Sequence, residues 1–376
     1  MNKELEIFEH FKDISDPRIE RKKLHSLIDI LSIGISAVIC GADNWNEIVT
    51  FGKAKEAWLR TFLELKNGIP SHDTFNRVFS LLTPEWLNES SMNFFISKIE
   101  EIKGHVSIDG KTVRRSGDKK NGNSAIHIVS AWLSNAGLSI GQVKVDDKSN
   151  EITAIPELLD KLDVSNSIIS IDAMGAQKKI TEKIVEKNSD YVISLKENHP
   201  KLHGEVSNYF QSAYNNNFED IKVQYRKSEE KNHGRIEKRE YWLVSNTDWI
   251  TQKEEWSELN SVGMVRSEVT VKEKRSVEFR YYISSLKNAP VLFQNSVRKH
   301  WGIETSCHWI LDIAFREDES RARNLHAAEN FTLLRKIALN LLKNETTTKI
   351  GVKGKRLKAG WDEEYFLKVI GFSNGS

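Results

Sequence analysis

The sequence predicts a mixed α/β protein: a helical N-terminal region, a strand-led core, and a β-rich block set into that core before the chain returns to helix. Three observations carry this expectation. Apolar residues recur at helical spacing up to about residue 95. Near residue 105 the period becomes that of strands. Two of those strands then run into an aspartate, while a glutamate follows far downstream in a helical pattern.

Residues 1–98 form the expected helical domain. Leu24, Leu27, Ile28, Leu31, Ile35, Val38 and Ile39 make one apolar stripe, and Gly68-Ile69-Pro70-Ser71-His72-Asp73 reads as a turn. Ser71 or Asp73 suits the N-cap of a helix carrying Phe75, Val78, Phe79 and Leu82. This pair of helices has the outline of a helix-turn-helix, a motif that serves as often for packing as for DNA contact.

The core is expected over 99–345. Strands are read at 105–108, 125–133 and 138–145, the last two joined by the turn Ser134-Asn135-Ala136-Gly137. A helix follows near 152–162, a strand at 167–171, a helix near 176–187 and a strand at 191–195. The order β-β-β-α-β-α-β is that of a ribonuclease H-like core, in which the first and fourth strands lie side by side. A β-rich stretch at about 218–287, with strands at 221–225, 240–244 and 279–283, interrupts the helical finish and reads as an insertion. Helix returns from about Ser296, with a strong apolar stripe over 327–342. Residues 346–376, with Lys349, Lys353, Lys355, Arg356 and Lys358, read as a basic C-terminal tail.

Composition narrows the function classes without choosing one. Lys+Arg 55 against Asp+Glu 53 leaves a formal charge of +2, so no global basic field points to nucleic acid. Positive charge is local, in Lys111, Arg114, Arg115, Lys119 and Lys120, and again near the C-terminus. The two cysteines, Cys40 and Cys307, form no zinc or disulfide pattern and suit a reducing compartment. The apolar run Leu27–Cys40 contains Asp29 and falls short of the roughly 20 residues needed to span a bilayer. With no signal-peptide pattern at the start, the expectation is a cytoplasmic protein with no membrane partner, associated with the nucleoid when on DNA.

Asp109, Asp172 and Glu304 are the candidate catalytic and metal-ligating residues. Phosphodiester transfer requires charge to be stabilised on two oxygens, and two divalent ions roughly 3.5–4 Å apart do this, held by hard oxygen ligands. Such a set predicts Mg²⁺, with Mn²⁺ as the alternative. In the expected arrangement Asp109 bridges both ions, Asp172 holds one and Glu304 the other. Each acid also has an ordinary reading: Asp109-Gly110 as a turn, Asp172 as a helix cap, Glu304 as a helix-surface residue. His300, Glu304 and His308 share a helix face, but no further His or Cys supports zinc, and the two histidines read as phosphate or substrate contacts.

These motifs together resemble the DDE transposases of bacterial insertion sequences, in the branch that includes the H-repeat-associated proteins. The resemblance covers nearly the whole chain. Asp16-Pro17-Arg18, Gly41-Ala42-Asp43-Asn44-Trp45 and the 68–75 stretch look like that branch's associated domain. Ile108-Asp109-Gly110-Lys111, Asp172-Ala173-Met174-Gly175-Ala176-Gln177 and His300-Trp301-Gly302-Ile303-Glu304 look like its three catalytic motifs. The resemblance implies a ribonuclease H-like domain, Mg²⁺, the three acid roles on Asp109, Asp172 and Glu304, and cleavage and joining of double-stranded DNA at terminal inverted repeats, with transfer into target DNA. Holding two ends implies a homodimer on DNA. The chain departs from the wider group where that group has Tyr, Arg and Lys around the Glu: here stand Val297, His300 and Leu311, with Arg298 or His300 as the substitutes. Thr305 also follows Glu304 where the branch has Asn.

Expected DNA contacts are Lys111, Arg114 and Arg115 beside the first acid, Lys196 at a strand end, His233 and Arg235 in a polar turn of the insertion, and Arg298 and His300 before the glutamate. Trp301 reads as a core residue, with stacking on an unpaired base as its other reading. Two competing functions stay open: a DNA-binding protein derived from a transposase that no longer catalyses, and a ribonuclease H-like nuclease that cuts without strand transfer.

Overall fold

The computed structural model describes residues 5–371 except 100, 101, 119–121, 123, 147, 148, 220, 233 and 273. The N-terminal region comprises α1 (Glu6–Glu9), α2 (Leu27–Ile39), α3 (Trp45–Ala54), α4 (Glu56–Leu59), α5 (His72–Leu81) and α6 (Pro84–Ser97). The core follows as β1 (Gly104–Thr112), β2 (His127–Leu133), β3 (Leu138–Lys144), α7 (Glu151–Asp160), β4 (Ser167–Ile171), α8 (Lys178–Glu186), β5 (Asp190–Leu195) and α9 (Pro200–Asn215). Then come β6 (Gln224–Asn232), β7 (Arg235–Val244), β8 (Ser261–Val271) and β9 (Lys274–Ser284), followed by α10 (Pro290–Ile303), α11 (Trp309–Phe315), α12 (Ala327–Asn344), α13 (Val352–Trp361) and α14 (Glu363–Ile370). Among the described residues no helix is long and apolar enough to cross a membrane.

All nine strands of this description lie in one sheet, ordered β3-β2-β1-β4-β5-β9-β8-β7-β6. Its first five strands are the ribonuclease H-like core: an antiparallel β1-β2-β3 meander with β4 and β5 running parallel to β1. Gly137, at φ +66°, closes the β2–β3 turn in a conformation that side chains resist.

The β-rich block extends this sheet. β9 pairs antiparallel with β5, Ile193 opposite Ile283, and β8, β7 and β6 follow as hairpin neighbours. It holds four strands where three were read; the missed one, β8, is buried over Ser261–Val265 and half-buried beyond, so no alternation of buried and exposed residues marks it. Near β5 the added strands are buried, whereas their far ends carry cross-strand ion pairs such as Arg266–Glu240 (2.8 Å) and Arg239–Glu230 (3.2 Å). The result is a charged ribbon standing beyond the core.

Two helices are buried almost all round. α2, capped by Ser26 accepting from the Asp29 N–H (3.1 Å), is not a one-faced helix: nearly every residue from Leu27 to Ile39 is enclosed, while Leu24 lies outside it and is exposed. α12 packs against α2, α5 and α6 on one side and β3 on the other. A single apolar cluster therefore joins the N-terminal helices to the sheet. Ser71 caps α5, as one of the two readings had it.

The stretch expected as a basic tail is folded into this body as α13 and α14. Arg356 is buried and donates to the carbonyls of Val38 (3.0 Å), Ala42 (3.0 Å) and Ala314 and to Asp43 (2.9 Å). Lys355 is likewise buried and donates to the Leu342 carbonyl at 3.0 Å. These cations close the ends of other elements, so their charge is spent inside the protein.

Candidate active site

β1 and β4 run side by side in parallel, with Ile108 opposite Ile171, so the next residue on each, Asp109 and Asp172, stands at the same level. Asp109 lies within β1, which continues to Thr112, so Asp109-Gly110 is strand and not a turn. Glycine at 110 leaves room for the ends of two side chains. A Cβ there would come within 2.1 Å of Glu151 Oε1 and 2.5 Å of His127 Nε2, which pair with each other at 2.6 Å. Asp172 follows β4 directly. One of its oxygens accepts from the Met174 N–H (3.0 Å), so the capping role and the site position belong to the same side chain.

Glu304 arrives by way of α10, which crosses β1 and β4. Ser107 donates to the Lys299 carbonyl (3.3 Å), and His300 Nδ1 meets Ser170 Oγ (2.9 Å). After Ile303 the helix widens into one π turn, Glu304–His308, with the Trp309 N–H bonded to the Glu304 carbonyl. Thr305, the residue that departs from the family pattern, donates its hydroxyl to the Trp301 carbonyl (2.9 Å), one turn before the shifted ladder. The wide turn sets Glu304 and His308 over Asp109. His308 Nδ1 lies 3.4 Å from Asp109 Oδ2 and 3.9 Å from Glu304 Oε2. One donor atom from each of the three falls within a 4.8 Å circle.

The electrostatics of the three acids suit a bound cation. Burial raises the Asp109 carboxyl to about 6; a hydrogen bond with Glu304 opposes this, and Asp172 and Glu151 add repulsion. Asp172 is raised by burial and then by Glu151, and Glu304 by burial and then by Asp109. Asp109 Oδ2 is buried with no hydrogen-bond partner. Converging carboxylates, each holding its proton too strongly, with an unpartnered oxygen between them, form a hard-donor set suited to a divalent cation. His308 is lowered to about 4 by burial and by Lys336, and His300 to about 4 chiefly by burial, so both imidazoles are neutral at pH 7.

Asp109, Asp172 and Glu304 line one cleft of about 250 Å³ together with Ser194, Lys196, Glu278, Arg280, Tyr282, His300 and Trp301. The wall formed by Glu278, Arg280 and Tyr282 comes from β9, so the added strands help build the site. Trp301 is not a core residue: it is 43% exposed, with the Arg280 guanidinium 5.2 Å from its ring centroid. No sequence pattern marked Glu151, an ordinary first-turn acid, or Arg280 in an exposed strand.

The basic residues divide. Arg114 and Arg115 are exposed on the segment leaving β1, Arg114 beside Asp318 (3.2 Å), and Lys196 is exposed at the mouth of the cleft. Lys111 is turned inward, 2.5 Å from both Asp312 Oδ1 and Glu317 Oε2, with Glu317 fully enclosed. Arg298 makes a two-pronged pair with Glu230 of β6, at 2.7 Å for each prong. His300 is held against Ser170 beneath the cleft wall. Lys111 and His300 thus have buried protein partners, and Arg298 a surface partner in Glu230, where DNA phosphates were expected for them. Arg235 is exposed at the β6–β7 turn beside Glu237 (3.2 Å), and His233 lies outside the described residues.

Residues 8–95 match the family described as DDE_Tnp_1-associated, and residues 101–341 match the Transposase DDE domain. The chain belongs to the DDE transposase family. Among its relatives, "Putative transposase YncI" of Escherichia coli O157:H7 is 40% identical, the alignment covering 97% of this chain and 94% of the relative. The "H repeat-associated putative transposase YhhI" of Escherichia coli K12 is 38% identical over 97% of each. "Inactive transposase YbfQ" of the same strain matches only 20% of this chain at 42% identity. A cryo-EM structure of the piggyBac transposase synaptic complex with hairpin DNA aligns over 98% of this chain and 80% of that one, with a TM-score of 0.44 and 11% identity. As a DDE transposase the protein is an enzyme acting on DNA, of the kind carried by insertion sequences.

Proposed function

We propose that this transposase cleaves and joins DNA at the inverted-repeat ends of its element, using two divalent ions, Mg²⁺ or Mn²⁺, held by Asp109, Asp172 and Glu304. The observation that carries the reading is the convergence of these acids from β1, the end of β4 and the π turn on one cleft, around a carboxylate oxygen that has no partner. Bound there, the ions would neutralise the charge that builds on the attacking and leaving oxygens.

The chain's own residues divide the remaining work. Lys196, beyond Asp172, and Arg114 and Arg115, on the lip after β1, hold phosphates on either side of the scissile bond. Lys111, locked between Asp312 and Glu317, ties β1 to α11 and to the segment after it and so fixes Asp109 relative to Glu304. His300, neutral and bonded to Ser170, anchors α10 to β4. Trp301, sandwiched by Arg280 on one side, offers its other face to a base at the cleft mouth. One cleft per chain and two element ends to be joined support a homodimer on DNA, with target DNA entering the same sites.

Cleavage and joining of a labelled duplex carrying the element's own end tests this reading. Asp109→Asn, Asp172→Asn and Glu304→Gln each lower metal-dependent cleavage by about 10³-fold or more while leaving end binding within a fewfold. Nicking without joined product would instead identify a nuclease lacking strand transfer. Binding without cleavage in the unmodified chain would identify an inactive derivative.

A further inference from the structure

A histidine stands beside the acids, and its place is set by the one irregular turn of the helix that delivers Glu304. His308 is 5% exposed, its Nδ1 faces Asp109 and Glu304, and its Nε2 is buried without a hydrogen-bond partner. No good hydrogen bond joins it to Asp109: the separation is 3.4 Å and Asp109 Oδ2 remains unpartnered. Donors adjacent on an octahedral ion with bonds near 2.1 Å lie roughly 3 Å apart, and opposite donors roughly 4 Å apart. The distances from Nδ1 to the two carboxylates, 3.4 and 3.9 Å, fall between these values, leaving room for an ion where a direct contact is missing.

We propose that His308 is a nitrogen donor to the ion held by Asp109 and Glu304, so that this position binds Mn²⁺ in preference to Mg²⁺. The inference rests on the metal-dependent reading above and adds a residue and a selectivity to it. Imidazole suits first-row transition ions better than Mg²⁺, which favours oxygen donors and retains its waters. A position with two carboxylates and an imidazole therefore differs from one with carboxylates alone, of which Asp109 and Asp172 form the example at the other side of the cleft. The π turn is the structural cause. Residues 304 and 308 stand over Asp109 at the two ends of this turn, and the residue it absorbs lets α11 beyond it direct Leu311 and Phe315 to the core.

The test is a titration of the full-length, metal-free protein with Mn²⁺ alone, read by electron spin-echo envelope modulation, with competition by Mg²⁺. Wild type is expected to show ¹⁴N coupling from a directly bound imidazole. His308→Gln is expected to lose the coupling and to reduce the Mn²⁺-over-Mg²⁺ preference by about tenfold. His300→Gln, the other imidazole in the cleft, should retain the coupling. Retention of the coupling in His300→Gln together with its loss in either His308→Gln or His308→Asn assigns the nitrogen, and a wild-type spectrum without coupling decides against it even if a variant fails to fold. Mn²⁺ bound in an Asp109-dependent manner without ¹⁴N coupling overturns the role of His308 and leaves the acid site standing. Absence of any Mn²⁺ binding that Asp109→Asn abolishes overturns both.

Discussion

At the scale of single residues, the unusual feature is how much charge is buried behind the cleft. Glu317 is enclosed among Lys111, Arg335 and Lys336; burial opposes its charge, but these cations hold its carboxyl below the ordinary range. Lys336 reaches Ser130 (2.5 Å), the β2 residue paired with Asp109, so the network ends directly against the first acid. Removing a partner from such a cluster strands the remaining charge, which is why Lys111 is better understood as a brace than as a phosphate contact. Glu329 on α12 is the opposite case. It is 8% exposed and raised to about 7, mainly by burial and then by Glu85, against the pull of Lys144, Lys161 and Lys336. Because its folded value lies above its unfolded one, the folded state keeps a proton that the unfolded chain releases. Stability from this group is full below about pH 4.5 and is lost as pH rises through 7. Glu329→Gln should therefore leave stability nearly unchanged at pH 4.5 and raise it by pH 8, as measured by urea unfolding at both. An equal effect at the two values would show that the carboxyl titrates normally.

At the scale of elements, the π turn and the four added strands determine the site, and both were hard to read. The apolar strands leading to Asp109 and Asp172 were legible because each runs between buried layers, which gives a near-continuous Val/Ile pattern. β8 was not legible, because Arg266, Ser267 and Glu268 belong to a ribbon of paired charges that is only half-buried, where no period is imposed by a core. A π turn has no sequence signature at all: Glu304 and His308 are spaced as in any α-helix, and only the backbone shows the extra residue. Its function is open to a direct test. Deleting Ser306 restores an α turn and shortens the Glu304–His308 spacing from four residues to three, while the flanking helices keep their phase because the π turn had absorbed the extra residue. Cleavage should fall by about 10²-fold or more while the far-ultraviolet spectrum keeps its helix signal, since α10 and α11 remain anchored separately. Unchanged cleavage by a folded deletion variant would mean that the turn is incidental.

At the scale of the whole molecule, one core runs from the N-terminal helices through α12 to the sheet, and α13 and α14 seal it. The helical start, the strand order and the three acids could be read from the sequence because periodicity and spacing survive without context. The fate of Lys355 and Arg356 could not, since a basic run near a chain end reads as solvated surface until something buries it. Ending the chain after Glu345 takes Arg356 away from its four acceptors and strips the buried side chains Tyr365, Phe366, Val369 and Ile370 from the core they cover. The loss should exceed about 5 kcal/mol, comparable with the whole stability of a domain, so the shortened chain should show no cooperative thermal transition by circular dichroism. A normal melt with weaker DNA binding alone would restore the reading of this segment as a tail.

The order in which the acids occur along the chain has a further consequence during synthesis. Asp109 and Asp172 leave the ribosome early, but Glu304 follows only after all four added strands, and the buried α12 and its seal come later still. A nascent chain, or a copy cut short by a stop codon, thus carries two of the acids with no means of closing the site. On the proposed reading, cutting would wait for Glu304 and the helices that follow it, so a chain ended before them would leave the host chromosome uncut.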